Sequence, residues 1–545
     1  MDRPRGLGRL LVPIAALLFA ATTVVKIGDA DIFSHVAAGR WMLAHGQIPH
    51  TDPFSYASAG PWKYTEALAQ VLFALVERAG GFAGVVWFNS ALLLGLALIV
   101  GASCRARPSA VAVVICWLGA ASYMALEPKP QTFSYLCFAL LLWLLRAGHV
   151  QVVPVLFLAW GYLHRGGTLG LMVLLGSAAL ALVFERRHAL LLVTLASALA
   201  LALNPGGWFY FRSTFDVASR ASFHAHIAEW QPLTWTGLVR DHATFVPLLA
   251  CALFERVRTR QKPDFELVAL ALGLVAAMTG ARLVPFAAIA AAPPAARGLD
   301  ALVARLQVRP ALMHAALATL ALGSLASSAL RVAPAFWGPG IIDTLVPVHL
   351  ASVIRDVPAR GHVFHSFDFG GYFLYALDRK VLIDGRNDTV YDDRFFLEVL
   401  RADTDPAQFA ALDRKYHFDV AAVRWNAPNE PSLLARDPAW ALLTWDDRGA
   451  VYVRRAAVDA SYLSQHAYRE LRVDDAFARA ATPGPNDAVF LAELARNTRE
   501  APHSARAWLL ATLAYRTRGM RSEYLATRAR LVDQVNDRAL TLPMP

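Results

Sequence analysis

Residues 28–70 read GDADIFSHVAAGRWMLAHGQIPHTDPFSYASAGPWKYTEALAQ and follow directly on an apolar run, so Asp29 and Asp31 stand just outside it. A helix beginning near Asp31 sets Asp31 and His35 four residues apart on one face. Asp31 then lies in the positive field of the first turn, which favours its ionised form. An ionised carboxylate beside a membrane is what a general base acting on a lipid-linked substrate requires. The same two aspartates also suit an ordinary solvated loop and cap. The rest of the chain decides between these readings.

The 545 residues are 56% hydrophobic and 17% charged. Soluble domains carry about 25% charged residues. The composition is that of a membrane protein with a soluble part attached. The formal net charge of +10 comes from short Lys/Arg clusters between apolar runs, which is the positive-inside pattern. No basic stripe interleaved with aromatics accompanies it, which argues against nucleic acid as a partner. The four cysteines, Cys104, Cys116, Cys137 and Cys251, lie in or beside apolar spans without zinc-site spacing.

Apolar candidates run from 10–27 through 83–102, 109–126, 131–147, 150–163, 167–184, 188–203, 243–257, 265–280, 282–296 and 310–332. That gives about 11 spans, several of them short for the roughly 20 residues a crossing needs. Pro154 and Pro285 fall inside two of them. The first run is long for a cleaved signal peptide, so an uncleaved helix with a cytoplasmic N-terminus is expected. The inside loops then carry Arg105 and Arg107, Arg146, Arg186 and Arg187, Arg256 to Lys262, and Arg297 to Arg309. The other side receives residues 28–82, 127–130, 164–167, 204–242, 280–282 and everything after 333. The polar residues of chemical interest gather on that outer side.

After Arg331 the composition changes. Residues 349–396 read as helix, short strand, Gly370-Gly371 turn, helix and strand. A helix near 406–415, the strand FDVAAVRW and a strand pair near 440–454 follow. The alternation implies a small α/β domain. From about 460 the pattern is helical and amphipathic, loosely similar to tetratricopeptide hairpins. The expected fold class is mainly α: a polytopic transmembrane helical bundle with a C-terminal soluble α/β domain and a short helical-hairpin tail. The expected domains are 1–332 (with the outer loop 28–82), 333–456 and 457–545.

Each outer loop offers a candidate. Glu66 opens an amphipathic helix. Lys129 stands between two prolines, which stiffen the turn around a cation able to hold phosphate. His164 and Arg165 precede Gly166 and Gly167, where a phosphate can approach closely. Arg282 is flanked by apolar residues, a costly placement unless the charge is paired or functional. His224, His226 and Glu229 have a spacing that suits a metal, but no further ligand is identified. A divalent metal stays open as a cofactor. Each of these residues also has an ordinary structural role open to it, as cap, surface charge or connecting turn. Taken together they supply carboxylates, cations and a membrane wall. The cations would hold a lipid phosphate and stabilise the charge developing on it as a leaving group.

The order of GDADIFSHVAAGRWMLAHGQIPHTDPFSY, TEALAQ, KPQTFSYLCFALLLWLL, YLHRGGTLG, LNPGGW, IAEWQPL, ARLVPF, FDFGGYFLYAL and VLIDGRNDTVY resembles a bacterial member of the GT-C superfamily. These are polytopic glycosyltransferases, and the likeness is to the mannosyltransferase-like or dolichyl-phosphate-mannose-transferase-like branch, over about residues 8–455. The resemblance implies a hexosyltransferase that uses a polyprenyl-phosphate sugar, undecaprenyl-linked in a bacterium. The implied acceptor is an envelope glycan, lipid or protein. The enzyme would lie in the inner membrane, with the C-terminal domain periplasmic. The superfamily's first-loop acidic base maps onto Asp31 or Asp29. Lys129, Arg165 and Arg282 would grip phosphate, while His35, Glu66 and His164 orient donor or acceptor. Lys129 stands where arginine is common, and Tyr162 and Arg165 where Asn and Gly are usual. Two rival readings remain: a non-catalytic membrane scaffold, and a transporter or flippase of a lipid-linked glycan.

Overall fold

A computed structural model describes residues 10–58, 60–186, 188–306, 309–386, 389–425 and 433–538. Arg3, Arg5 and Arg9, the loop residue Arg187, and Asn387 and Asp388 of VLIDGRNDTVY lie outside the described residues. The chain forms two compact units. One comprises residues 1–27, 63–332 and 338–340; the other comprises 28–62, 333–337 and 341–545.

The first unit is helical, and every apolar stretch read from the sequence contains a helix. Among the described residues five helices are long and apolar enough to cross a membrane. The number is six if Trp235–Asp241 and Phe245–Thr259, bent by 102°, form one span. Length therefore does not support the expected count of about 11. Leu11–Ala21, Gln131–Ala147, Val150–Leu163, Ala189–Ala202 and Phe265–Thr279 are apolar but shorter. The 11 residues of Leu11–Ala21 rise only roughly 17 Å against about 30 Å of hydrocarbon. Pro154 and Pro285, which fall inside two of the apolar stretches, do not interrupt a helix. Each sits in the first turn, of Val153–Leu163 and Val284–Arg305, where no N–H partner is lost. The helix Ala67–Ser103 leaves helical geometry at Gly80 and Gly81. Gly81 has φ +59°, a conformation open to glycine, and it separates the amphipathic start from the apolar run.

Val284–Arg305 lies at the centre of this unit. Residues 284–296 are buried all round. The helix packs on Phe245–Thr259, Phe265–Thr279 and Pro108–Ser122. Its alanines and glycine let neighbouring backbones approach closely. It is tied to Gln131–Ala147 at both ends. At one end Arg282 bonds Gln131. At the other, Glu266 receives Arg146 at 2.5 Å and Arg297 at 2.6 Å. About 22 Å of helix separates the two polar clusters.

The second unit is built on a four-stranded sheet of order β1-β2-β4-β3, with β1 His362–His365, β2 Phe418–Arg424, β3 Trp440–Trp445 and β4 Gly449–Arg454. The β1–β2 pair is parallel and the other two pairs are antiparallel. β3 is buried along its whole length, and β2 and β4 along most of theirs. This explains their near-continuous apolar sequence. The helix Val348–Asp356 packs on β3 and β4. Helices Asp487–Glu500, Ala505–Thr517 and Arg521–Arg538 follow as an array. The Asp447 carboxylate, in the β3–β4 turn, accepts the N–H groups of Ala505 and Arg506 and so caps Ala505–Thr517.

Two local expectations change. Gly370 and Gly371 form no turn; they begin the helix Gly370–Ala376. A Cβ on either would overlap the carbonyl of Ile383 or Ala30, so both are needed for close packing. Residues 380–384 form no strand beyond a bridge from Val381 to Ser55. The extended run ends because the Asp384 carboxylate turns back to bond the Arg386 backbone N–H. Residues 28–62, read from the sequence as part of an outer loop, pack with the chain after 341.

Candidate active site

In the helical unit, Lys129 occupies the bend just before Gln131–Ala147. Asn89, wholly buried, holds that bend by donating to the Leu126 carbonyl and accepting from Thr132. Lys129 Nζ meets Glu229 Oε2 at 3.2 Å, and Arg282 Nη1 meets Glu229 Oε1 at 2.7 Å. Lys129 and Arg282 are 11% and 15% exposed at their side chains, so both charges are largely withdrawn from water. Arg282 Nε donates to Gln131 Oε1 at 2.8 Å, and its guanidinium lies 4.6 Å over the Trp230 ring. Gln131 and Tyr135 in turn donate to the Arg282 carbonyl. The Glu229 carboxylate thus holds two mostly buried cations in a fixed orientation.

The same unit brings Arg165 and Glu66 together at 3.4 Å, both mostly buried. His164 Nδ1 accepts the Gly166 N–H at 3.1 Å, so its ring proton is on Nε2. Ser134 Oγ then donates to Nδ1 at 2.8 Å and accepts from Trp160 Nε1 at 2.8 Å. Tyr210 donates to the His164 carbonyl. His224 and His226 face the carbonyls of Trp230 and Ser222 through Nδ1. Glu229, weighed in the sequence as a metal ligand, instead joins the Lys129–Arg282 cluster. Among the described residues no three His, Cys, Asp or Glu side chains converge as metal ligands do.

In the second unit, the helix Asp31–His45 begins where the sequence places it. Asp31 and His35 are half-buried on one face. Asp29 Oδ1 accepts the Asp31 N–H at 2.7 Å, which satisfies one donor of the first turn. The Asp31 carboxylate lies against Gly385, where a Cβ would overlap it. Gly385 stands between Asp384 and Arg386, which are both buried. Arg386 forks onto Asp384 at 2.7 and 2.6 Å and reaches Asp52 at 2.7 Å. Its guanidinium lies 4.4 Å over the Trp62 ring and 5.1 Å over that of Phe54. Burial opposes the charge on Asp384. The Arg386 charge and hydrogen bonds outweigh it and hold the carboxyl below the usual range. Burial, reinforced by the Asp384 charge, pushes the Tyr391 hydroxyl well up, so it stays a donor to Asp384.

The sequence reading did not single out Gln131, Tyr135, Ser134, Trp160, Asp52, Asp384 or Arg386. Each stands within or beside a quoted motif, but a polar residue inside a motif does not reveal its partner tens or hundreds of positions away.

The chain is similar in fold to solved structures. The structure of ArnT from Cupriavidus metallidurans bound to undecaprenyl phosphate aligns over 84% of this chain and 99% of that one, with TM-score 0.51 and 12% identity. The chain has a GT-C fold. The apo form of the same ArnT aligns over 82% and 97%, with TM-score 0.49 and 13% identity. The arabinofuranosyltransferase AftD from mycobacteria aligns over 82% of this chain and 40% of that one, with TM-score 0.48 and 13% identity. No family model and no curated protein sequence matches the chain. At 12% identity the likeness to ArnT is one of fold.

Proposed function

We propose that the chain is a membrane glycosyltransferase that moves a monosaccharide from a polyprenyl-phosphate donor to an envelope glycan, lipid or protein. The carrying observation is the Lys129–Arg282 pair on Glu229, which brings two mostly buried cations to one place. The ArnT structure of the same fold was solved with undecaprenyl phosphate, which supports a lipid phosphate as the ligand class. In this reading Lys129, Arg282 and Arg165 hold the donor phosphate. Asp31, with Asp29 as substitute, takes the proton of an acceptor hydroxyl. The resulting oxygen attacks the anomeric carbon, and the bond to the phosphate oxygen breaks. The cations stabilise the charge that develops on the departing phosphate. His35, Glu66 and His164 orient donor or acceptor.

The proposed sugar is a hexose, in keeping with the resemblance to the mannosyltransferase-like branch. The proposed setting is the inner membrane, with about 11 crossings, the shorter helices included. The N-terminus would be cytoplasmic, with the α/β domain and helical tail periplasmic. The test is transfer by detergent-solubilised protein from a panel of polyprenyl-phosphate sugars to a membrane extract. Product from the wild type and none from Asp29→Asn/Asp31→Asn supports the reading. Equal product from both overturns the assignment of the base. Translocation of a lipid-linked glycan in liposomes without glycosidic product overturns the transferase.

A further inference from the structure

We propose that the Asp384–Gly385–Arg386 turn is a positioning element for Asp31, and that Gly385 is glycine because the Asp31 carboxylate occupies the space of its Cβ. The proposal rests on the reading of Asp31 as the base. The turn is rigid for stated reasons. The Asp384 carboxylate accepts both the Arg386 backbone N–H at 3.0 Å and the Arg386 side chain. Asp52 holds the guanidinium from the other side and also accepts the N–H groups of Phe54 and Ser55. Phe54 and Trp62 lie against the guanidinium. In this proposal these side chains act by fixing the backbone on which Asp31 rests.

Asp31 itself is placed from two sides. Its helix starts where the Asp31 N–H donates to the Asp29 carboxylate. The preceding carbonyl, of Ala30, fits against Gly371, where a Cβ would overlap it. Thus FGG and DGR, far along the chain, form the seat of DAD at residues 29–31. A proton transfer depends steeply on this kind of placement: a displacement of about 1 Å lowers a rate roughly a hundredfold.

Four full-length proteins are compared in detergent: wild type, Asp31→Asn, Gly385→Ala and Arg386→Lys. The readouts are kcat, KM for the donor, the pH–rate profile and the melting temperature. The expected result for Gly385→Ala is a kcat lowered roughly tenfold to a hundredfold. Its donor KM should stay within about twofold and its acid limb in the pH profile should shift. Arg386→Lys keeps the charge but loses the fork, and should move kcat in the same direction. Activity retained by Asp31→Asn would overturn the assignment of the base, and with it this inference. Loss of activity in Asp31→Asn, with full kcat and an unshifted profile in both Gly385→Ala and Arg386→Lys, would overturn the positioning role alone. Should Gly385→Ala fail to fold, Arg386→Lys decides by the same criteria.

Discussion

Arg386 Nη1 donates to Asp52 Oδ1 at 2.7 Å across 334 positions of chain, and neither side chain is more than 4% exposed. This pair ties residues 28–62 to the C-terminal chain. Removing Asp52 leaves Arg386 paired with Asp384 but deletes a buried charge-assisted bond, which costs about 1.5–3 kcal/mol. Asp52→Ala should therefore lower the melting temperature clearly and expose 28–62 to protease. Asp52→Asn keeps the acceptor for Phe54 N–H and should fall between the two. A protease pattern unchanged in Asp52→Ala would show that the pair does not hold the segment.

Arg282 differs from the exposed arginines in what its fork engages. It reaches Glu229 and Gln131 while stacked on Trp230. Lysine supplies a charge but no fork. Charge-assisted bonds of this kind contribute about 1.5–3 kcal/mol. Arg282→Lys and Lys129→Ala should each weaken polyprenyl-phosphate binding by roughly tenfold to a hundredfold. Arg240, 82% exposed and paired with Asp241, is the control, and Arg240→Ala should bind as wild type does. Titration of undecaprenyl phosphate as a competitor in the transfer assay measures all three.

Asp446 gives the second unit a pH dependence of defined sign. Burial, reinforced by the charge of Asp447, raises its carboxyl to about 7, although the N–H groups of Arg448 and Gly449 work against this. In the unfolded chain the carboxyl loses its proton near 3.9. Between these two values the folded state holds the extra proton. Its contribution to stability is therefore full below about 4 and falls as pH rises to 7, by at most roughly 4 kcal/mol. Asp446→Asn should flatten this fall when unfolding is followed from pH 4.5 to 8. An equally steep profile in the variant would assign the dependence elsewhere.

The sequence made the fold legible where the pattern is local. The start of Asp31–His45, the helix Pro406–Tyr416 and the strands of residues 418–454 lie where periodicity places them. Of the residues in the proposed site, it singled out Asp31, Glu66, Lys129, His164, Arg165 and Arg282, because a polar or charged residue next to an apolar run is conspicuous. It gave no sight of Asp52 with Arg386, nor of Gly385 under Asp31, because these partners are more than 300 positions apart and each looks like an ordinary turn residue. Gly370 and Gly371 were misread for a related reason. A glycine pair suggests a turn locally, whereas here it serves a close approach between a helix and distant backbone. Of the apolar stretches, five or six are helices long enough to cross a membrane; composition does not separate these from the shorter apolar helices, because both share it.

Ser134 bridges the Trp160 indole and the His164 ring. Its hydroxyl accepts from Trp160 Nε1 and donates to His164 Nδ1, each at 2.8 Å. Ser134→Ala leaves a buried indole N–H without this acceptor, at a cost of about 1–3 kcal/mol. Trp160→Phe removes the donor, while Ser134 can still serve His164. The two changes share one bond, so the double variant should lose less than the sum, by roughly 0.5–3 kcal/mol. Melting temperatures of the four proteins in one detergent provide the cycle. Strict additivity would mean that the indole–hydroxyl bond contributes nothing to stability beyond what each side chain contributes alone.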